Sequence, residues 1–251
     1  MKKRIILFLM MTFLLNTYVL ANSVKEIASL DFIKAGALYQ TEDYAGAIKG
    51  YQKILDQGVS SAAVYYNLGN AYFKSENLGK AILYYEKALR IAPRDPDIEA
   101  NLRFARSLIE RYGEEEKQTW WAKLMPHLHL VSLDEITWIV LILFFIFGGV
   151  VLIGMIRHWR LSRQIMWSGT VLILLLFHSI VLVAKVTYLS HQGVVLSQAK
   201  AKFEPMNDAT DHFELGEGMV VQIIKKQYGW VKIKRIDDRI GWVPEKVIDE
   251  I

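Results

Sequence analysis

The chain has 251 residues, 53% of them hydrophobic, no cysteine and a formal net charge of +4. Without cysteine it has no disulfide, thiol nucleophile or thiolate metal site, so its soluble parts must fold by packing alone. Lys2, Lys3 and Arg4 carry three of the positive charges and Arg157, Arg160 and Arg163 three more, which leaves about −2 for the rest and removes the case for a nucleic-acid partner.

Lys2, Lys3 and Arg4 precede an apolar run from Ile5 to about Leu15, and Val19-Leu20-Ala21 ends it with small residues where a signal peptidase cuts. Residues 1–21 therefore read as a cleavable secretory signal with Asn22 as the mature start. An uncleaved N-terminal anchor is the alternative, and either one translocates the segment that follows.

Residues 22–112 contain two copies of one pattern, offset by 34 positions. Ala37 and Ala71, Ala47 and Ala81, Ile48 and Ile82, Tyr51 and Tyr85, Lys53 and Lys87, and Leu55 and Leu89 coincide. Small residues at helix crossings with aromatics between them, at this period, define a helix–turn–helix solenoid. The second copy resembles the tetratricopeptide repeat through Tyr65, Leu68, Gly69, Tyr72, Ala81, Tyr85, Ala88 and Pro93. The first copy departs from it, with Asp31 at an aromatic position, Lys34-Ala35 for Leu-Gly and Val59 for the closing proline. After Pro96, Asp97 is expected to cap a further helix through about Arg111, covering the open end of the array.

The family resemblance implies a concave face that takes an extended peptide or a helix. It puts Phe32, Gly36, Tyr39 and Gln40, then Tyr66, Asn70, Phe73 and Lys74, towards that face. Asn70 and Lys74 lie one turn apart and can face one ligand together. Tyr66 occupies the position of the lysine that some such domains use against a C-terminal carboxylate, so that ligand is not expected.

Residues 113–135 read as a polar hinge (Glu114, Glu115, Glu116) followed by an interfacial segment with Trp120, Trp121, His127 and His129. Two apolar spans follow at 136–156 and 165–189, each long enough for a hydrocarbon core of about 30 Å. The loop between them, 157–164, holds three arginines and no acid, which keeps it cytoplasmic. Both soluble parts then lie outside, in the periplasm of a bacterium, and the chain is a multi-pass inner-membrane protein. Trp138, Trp159 and Trp167 fit an interfacial belt. His178 and Lys185 share one side of the second span, and Gly148, Gly149 and Gly154 offer close helix approach in the first.

Residues 190–251 change to strand patterns: a first run from Gly193, then Met219 to Lys225, Gly229 to Lys234, and Arg239 to Val243. Turns are marked at Asn207-Asp208, Gly216 to Gly218, Tyr228-Gly229 and Asp237-Asp238. A small all-β barrel is expected. Gly229-Trp230-Val231 and Gly241-Trp242-Val243-Pro244 are similar to the bacterial SH3-like domain, as is Leu215 to Val221. That resemblance implies a partner- or wall-binding groove at Tyr228, Trp230 and Trp242, with peptidoglycan or a protein as ligand.

The sequence has no nucleophile elbow, glycine-rich phosphate loop or His/carboxylate metal motif, so no catalytic residue, cofactor or metal is expected. The order of modules (signal, short all-α tetratricopeptide solenoid, two-helix transmembrane hairpin, SH3-like barrel) resembles the BatE proteins of bacterial aerotolerance operons. The resemblance covers the whole chain. It implies a non-catalytic scaffold beside von Willebrand-type Bat membrane proteins linked to a MoxR-type ATPase, with a role in oxygen or envelope stress. A cell-wall-binding anchor is the alternative.

Overall fold

The computed structural model describes residues 27–109, 132–158, 160–189 and 191–251. The expected signal segment 1–21, the hinge and interfacial residues 113–131 with His127 and His129, Trp159, and the side chains of Arg163 and Lys185 lie outside the described residues.

Five helices form the first layer: α1 (27–40), α2 (Tyr44–Asp56), α3 (Ala62–Lys74), α4 (Leu78–Ile91) and α5 (Pro96–Ser107). Ala47, Ala71, Ala81 and Ala105 are fully buried. A methyl group suits such crossings because it lets two helix backbones approach. At Gly69 even a Cβ would come within 2.7 Å of the Tyr85 ring, so this glycine allows the ring to lie flat on α3. Leu68 and Ile82 fill the same core, each worth roughly 1.5–3 kcal/mol of burial.

The helices start where local chemistry satisfies their first N–H groups. Asp43 accepts from Gly46 N at 2.8 Å, Ser61 from Val64 N at 3.2 Å and Asn77 from Lys80 N at 3.1 Å. Each such cap is worth about 1 kcal/mol. The turn inside each hairpin also recurs in register. Thr41 and Ser75 hydroxyls donate to the carbonyls of Ala37 and Ala71, and Glu42 and Glu76 both take left-handed backbone, with φ of 63° and 60°. The last helix begins earlier than Asp97. Asp95 is the cap, accepting from Asp97 N at 3.0 Å, because Pro96 fits the first helical position without needing an N–H.

Asp31 explains the departure of the first copy. Its carboxylate is buried, meets Lys53 Nζ at 2.9 Å and accepts from Gln57 Nε2 at 3.1 Å. A polar clamp between α1 and α2 thus replaces the packing that Tyr65 supplies in the second copy. The hydrogen bonds from Lys53 and Gln57 hold the Asp31 carboxyl below the usual carboxylate range.

Two long helices, Leu133–Ile156 and Leu161–Leu189, pack side by side across a short turn. The first begins three residues before the expected span because Ser132 and Glu135 form a capping box. Leu133–Ile156 and Ile165–Val183 are long and apolar enough to cross a membrane, and their side chains face outward. Gly148 and Gly149 face open space, so they are not crossing points of this hairpin; Gly154 is buried. His178 Nδ1 is 2.9 Å from the Leu174 carbonyl, a contact within its own helix.

The remaining residues form one antiparallel sheet of seven strands: β1 (Gln192–Val195), β2 (Ala199–Lys202), β3 (Asp211–Leu215), β4 (Val220–Gln227), β5 (Trp230–Lys234), β6 (Ile240–Pro244) and β7 (Ile248–Glu250). The order is β3-β2-β6-β5-β4-β1-β7. The expected closed barrel is therefore corrected to an open sheet. β1 and β2 are consecutive but do not pair; β1 takes β4 and β7, β2 takes β3 and β6, and no ladder joins β3 to β7. Bulges at Ala201/Lys202 and Ile223/Lys225 bend the sheet. Leu215 near one edge and Ile248 at the other share one core with Val195, Ile233 and Val243. The β4–β5 hairpin turns on Tyr228 and Gly229, with φ of 51° and 77°, the two-residue turn that matches strand twist.

The sheet does not stand apart from the solenoid. Val194, Leu196, Val220 and Ile251 pack into the helical core. Gly79 N donates to Glu217 Oε1 at 2.6 Å, and Arg90 donates to the Ile251 carbonyl at 2.6 Å and to Gln192 Oε1 at 3.0 Å.

Candidate functional site

The solenoid residues singled out in the sequence fall into three settings. Tyr66 and Asn70, both half-buried, meet in a network with Tyr85 and Asn101. Tyr85 Oη donates to Asn70 Oδ1 at 2.7 Å; Asn101 Nδ2 donates to the same oxygen at 2.9 Å and to Tyr66 Oη at 3.0 Å. Asn70 Oδ1 is thus filled, while its amide N–H groups have no partner among the described residues. Phe73 packs on Phe104 with ring centroids 5.6 Å apart, and Phe104 is 56% exposed.

Phe32 and Tyr39 are tied to the array by other rings. Phe32 meets Tyr51 edge-on at 5.6 Å and Tyr39 meets Tyr44 at 5.4 Å. Gln40 and Lys74 are exposed, and Lys74 has no hydrogen bond or ion pair among the described residues. Burial, reinforced by the neighbouring phenols Tyr66 and Tyr39, pushes the Tyr85 phenol above its ordinary range. Burial likewise raises Tyr39. Both stay neutral at physiological pH, so Lys74 is the charged group among these singled-out residues, and the others are rings and amides. Such a surface can hold an extended chain by stacking and by amide donors.

Asn101 and Phe104 on α5 are not among the residues named from the sequence. A signal for them existed. Continuing the 34-residue phase puts Leu102 on Leu68 and Ala105 on Ala71, which places Phe104 at the Asn70 position.

On the sheet, the three aromatics differ. Tyr228 sits at the hairpin tip and is 89% exposed. Trp230 is half-buried and opposite Gln227 and Pro244. Trp242 is only 7% exposed, yet it belongs to neither apolar core. Its strand neighbours Gly241 and Val243 face the core opposite Ile233 and Val231, so Trp242 points to the other side, opposite Lys232 and Lys202. Lys225 and Lys232 lie over its ring, with Nζ 5.1 and 5.8 Å from the centroid. Two lysines therefore lie over this indole on the side away from the core. Among the described residues no three His, Asp or Glu side chains are grouped to hold a metal.

Residues 62–95, which span α3 and α4, match the tetratricopeptide repeat. Such repeats are typically non-catalytic modules for protein–protein interaction. A comparison with curated proteins finds no match.

Proposed function

We propose that this protein is a non-catalytic scaffold held in the bacterial inner membrane by its two-helix hairpin, with the solenoid and the sheet both on the periplasmic side. The face shared by α1, α3 and α5 holds a segment of a protein partner, and the sheet makes a second contact. Joining two contact surfaces in one anchored chain raises their effective concentration for a single assembly.

The observation that carries this reading is the face itself. The half-buried Phe73 and the exposed Phe104 pair beside the Tyr66, Asn70, Tyr85 and Asn101 network, which leaves the Asn70 amide donors unused among the described residues. An apolar anchor next to fixed amides is what an extended peptide needs. Outward-facing apolar side chains on both long helices support the membrane anchor, and the arginines between them support the orientation. The paired Gly-Trp-Val segments and the bent antiparallel sheet support an SH3-like module. The order of the modules supports a place in a Bat-type aerotolerance or envelope-stress complex, beside von Willebrand-type membrane proteins and a MoxR-type ATPase.

The test is purification of the tagged protein from native membranes in mild detergent, as wild type and as the Asn70→Ala, Lys74→Ala double variant. The expected result is co-purifying membrane proteins whose recovery falls in the variant. Unchanged recovery removes the solenoid face from this account. Recovery of cell-wall fragments alone moves the function to the sheet.

A further inference from the structure

The face of the sheet that points away from its core carries a compact charge imbalance. Lys225 of β4 and Lys232 of β5 are direct cross-strand partners. Like charges in that position repel. Both ammonium groups sit over the one Trp242 ring, at 5.1 and 5.8 Å.

Neither has a carboxylate partner among the described residues; Lys225 Nζ reaches only Gln227 Oε1, at 3.2 Å. Most of the surrounding cations have an acid beside them. Lys200 and Lys202 pair with Asp211, Lys226 with Glu245 and Glu250, Lys234 with Asp238, and Arg239 with Asp237. Two adjacent positive charges are thus held at one spot by an indole, while acids stand beside most of the cations around them.

We propose that Lys225, Lys232 and Trp242 form a seat for a carboxylate of an acidic peptide segment in a protein partner, with Trp230 and the exposed Tyr228 flanking it. This deepens the reading of Tyr228, Trp230 and Trp242 as a contact surface. It does not depend on the solenoid face.

The charge pattern selects a peptide over a lipid surface. An anionic membrane rewards a broad plane of lysines, roughly 1 kcal/mol for each one near the surface. Here the module has nine Lys and Arg against ten Asp and Glu over residues 191–251, and acids lie beside most of its lysines. A point-like anion meets the paired charges of Lys225 and Lys232 without also meeting those acids. The adjoining rings offer stacking surface to the rest of an extended chain.

The probe is a fluorescein-labelled hexaglutamate peptide, titrated by anisotropy against the full chain in detergent at low salt. Wild type is expected to bind, with affinity falling as salt rises. Lys225→Gln with Lys232→Gln is expected to weaken binding about tenfold, the order for two exposed charge pairs. Lys225→Arg with Lys232→Arg is expected to retain it, and so is Asn70→Ala with Lys74→Ala, which separates this site from the solenoid face. Equal binding by wild type and the glutamine variant overturns the proposal, as does equal binding of hexaglutamine. Capture of phosphatidylglycerol vesicles in place of the peptide overturns it in favour of a lipid surface.

Discussion

The two repeats are alike where helices cross and chains turn, and unlike along one side of their second helices. Ala47 and Ala81 are both fully buried, and both hairpins turn through a left-handed glutamate, Glu42 and Glu76. At the same phase, however, α2 has Ala45, Lys49, Gly50 and Asp56 where α4 has Gly79, Leu83, Tyr84 and Arg90. The second set belongs to the side that the sheet covers. Leu83 is buried, the Tyr84 phenol is pushed up to about 12 chiefly by burial, and Arg90 reaches the end of β1 and the Ile251 carbonyl. Positions shared by the copies build the array; positions that differ record what each copy touches.

The sharpest way to break that comparison is at Gly79 and Ala45. A Cβ on Gly79 would come within 2.6 Å of the Leu196 carbonyl oxygen, whereas Ala45 is exposed. Gly79→Val is expected to cost about 2 kcal/mol through overpacking, and to free the sheet from α4. Ala45→Val is expected to stay within about 0.5 kcal/mol. Thermal unfolding with limited proteolysis of the full chain measures both, and equal losses would remove the asymmetry.

The core tyrosines give a smaller contrast. Tyr85→Phe removes the hydroxyl that donates to Asn70, at an expected cost of about 1 kcal/mol. Tyr51 is equally buried but makes no such bond among the described residues, so Tyr51→Phe should cost about half as much or less. Chemical denaturation midpoints compare the two.

The smallest effect separates the copies by pH. The Asp31 carboxyl is held below its ordinary value, so its contribution to stability is complete above the usual carboxylate range, about 3.9. It is lost as pH falls through the lowered value in the folded protein. Wild type should therefore lose more of its melting temperature than Asp31→Asn between pH 6 and pH 3 (a range of about 3 units that brackets the ordinary carboxylate value). Parallel curves for the two proteins would deny the clamp a role in the first repeat.

Much of the fold was legible because its signals are local. The 34-residue phase, the apolar spans, and the turns at Tyr228-Gly229 and Asp237-Asp238 all appear as helices, long helices and turns. β2 and β3 were not legible: Ala199 to Lys202 and Asp211 to Leu215 are short and mix charged residues with apolar ones, and only pairing makes them strands. In the candidate site, Tyr66, Asn70 and Phe73 were read from the repeat pattern, while Asn101 and Phe104 lay in a helix treated only as a cap. Trp242 was legible as a motif residue but not in its setting, since no spacing rule places Lys225, seventeen positions earlier, over its ring.

What the sequence determined alone is whatever repeats or runs at a helix or strand period: the tandem hairpins, the crossing alanines, the two apolar helices and the alternation in β5. Those features follow from backbone geometry acting on neighbours a few residues apart. The tertiary structure decided what joins distant segments: the open strand order, the docking of Gly79 and Arg90 on the sheet, and the lysine-covered indole. Each pairs groups separated by a loop or a whole module, and a local pattern carries no record of which distant surface will bury it.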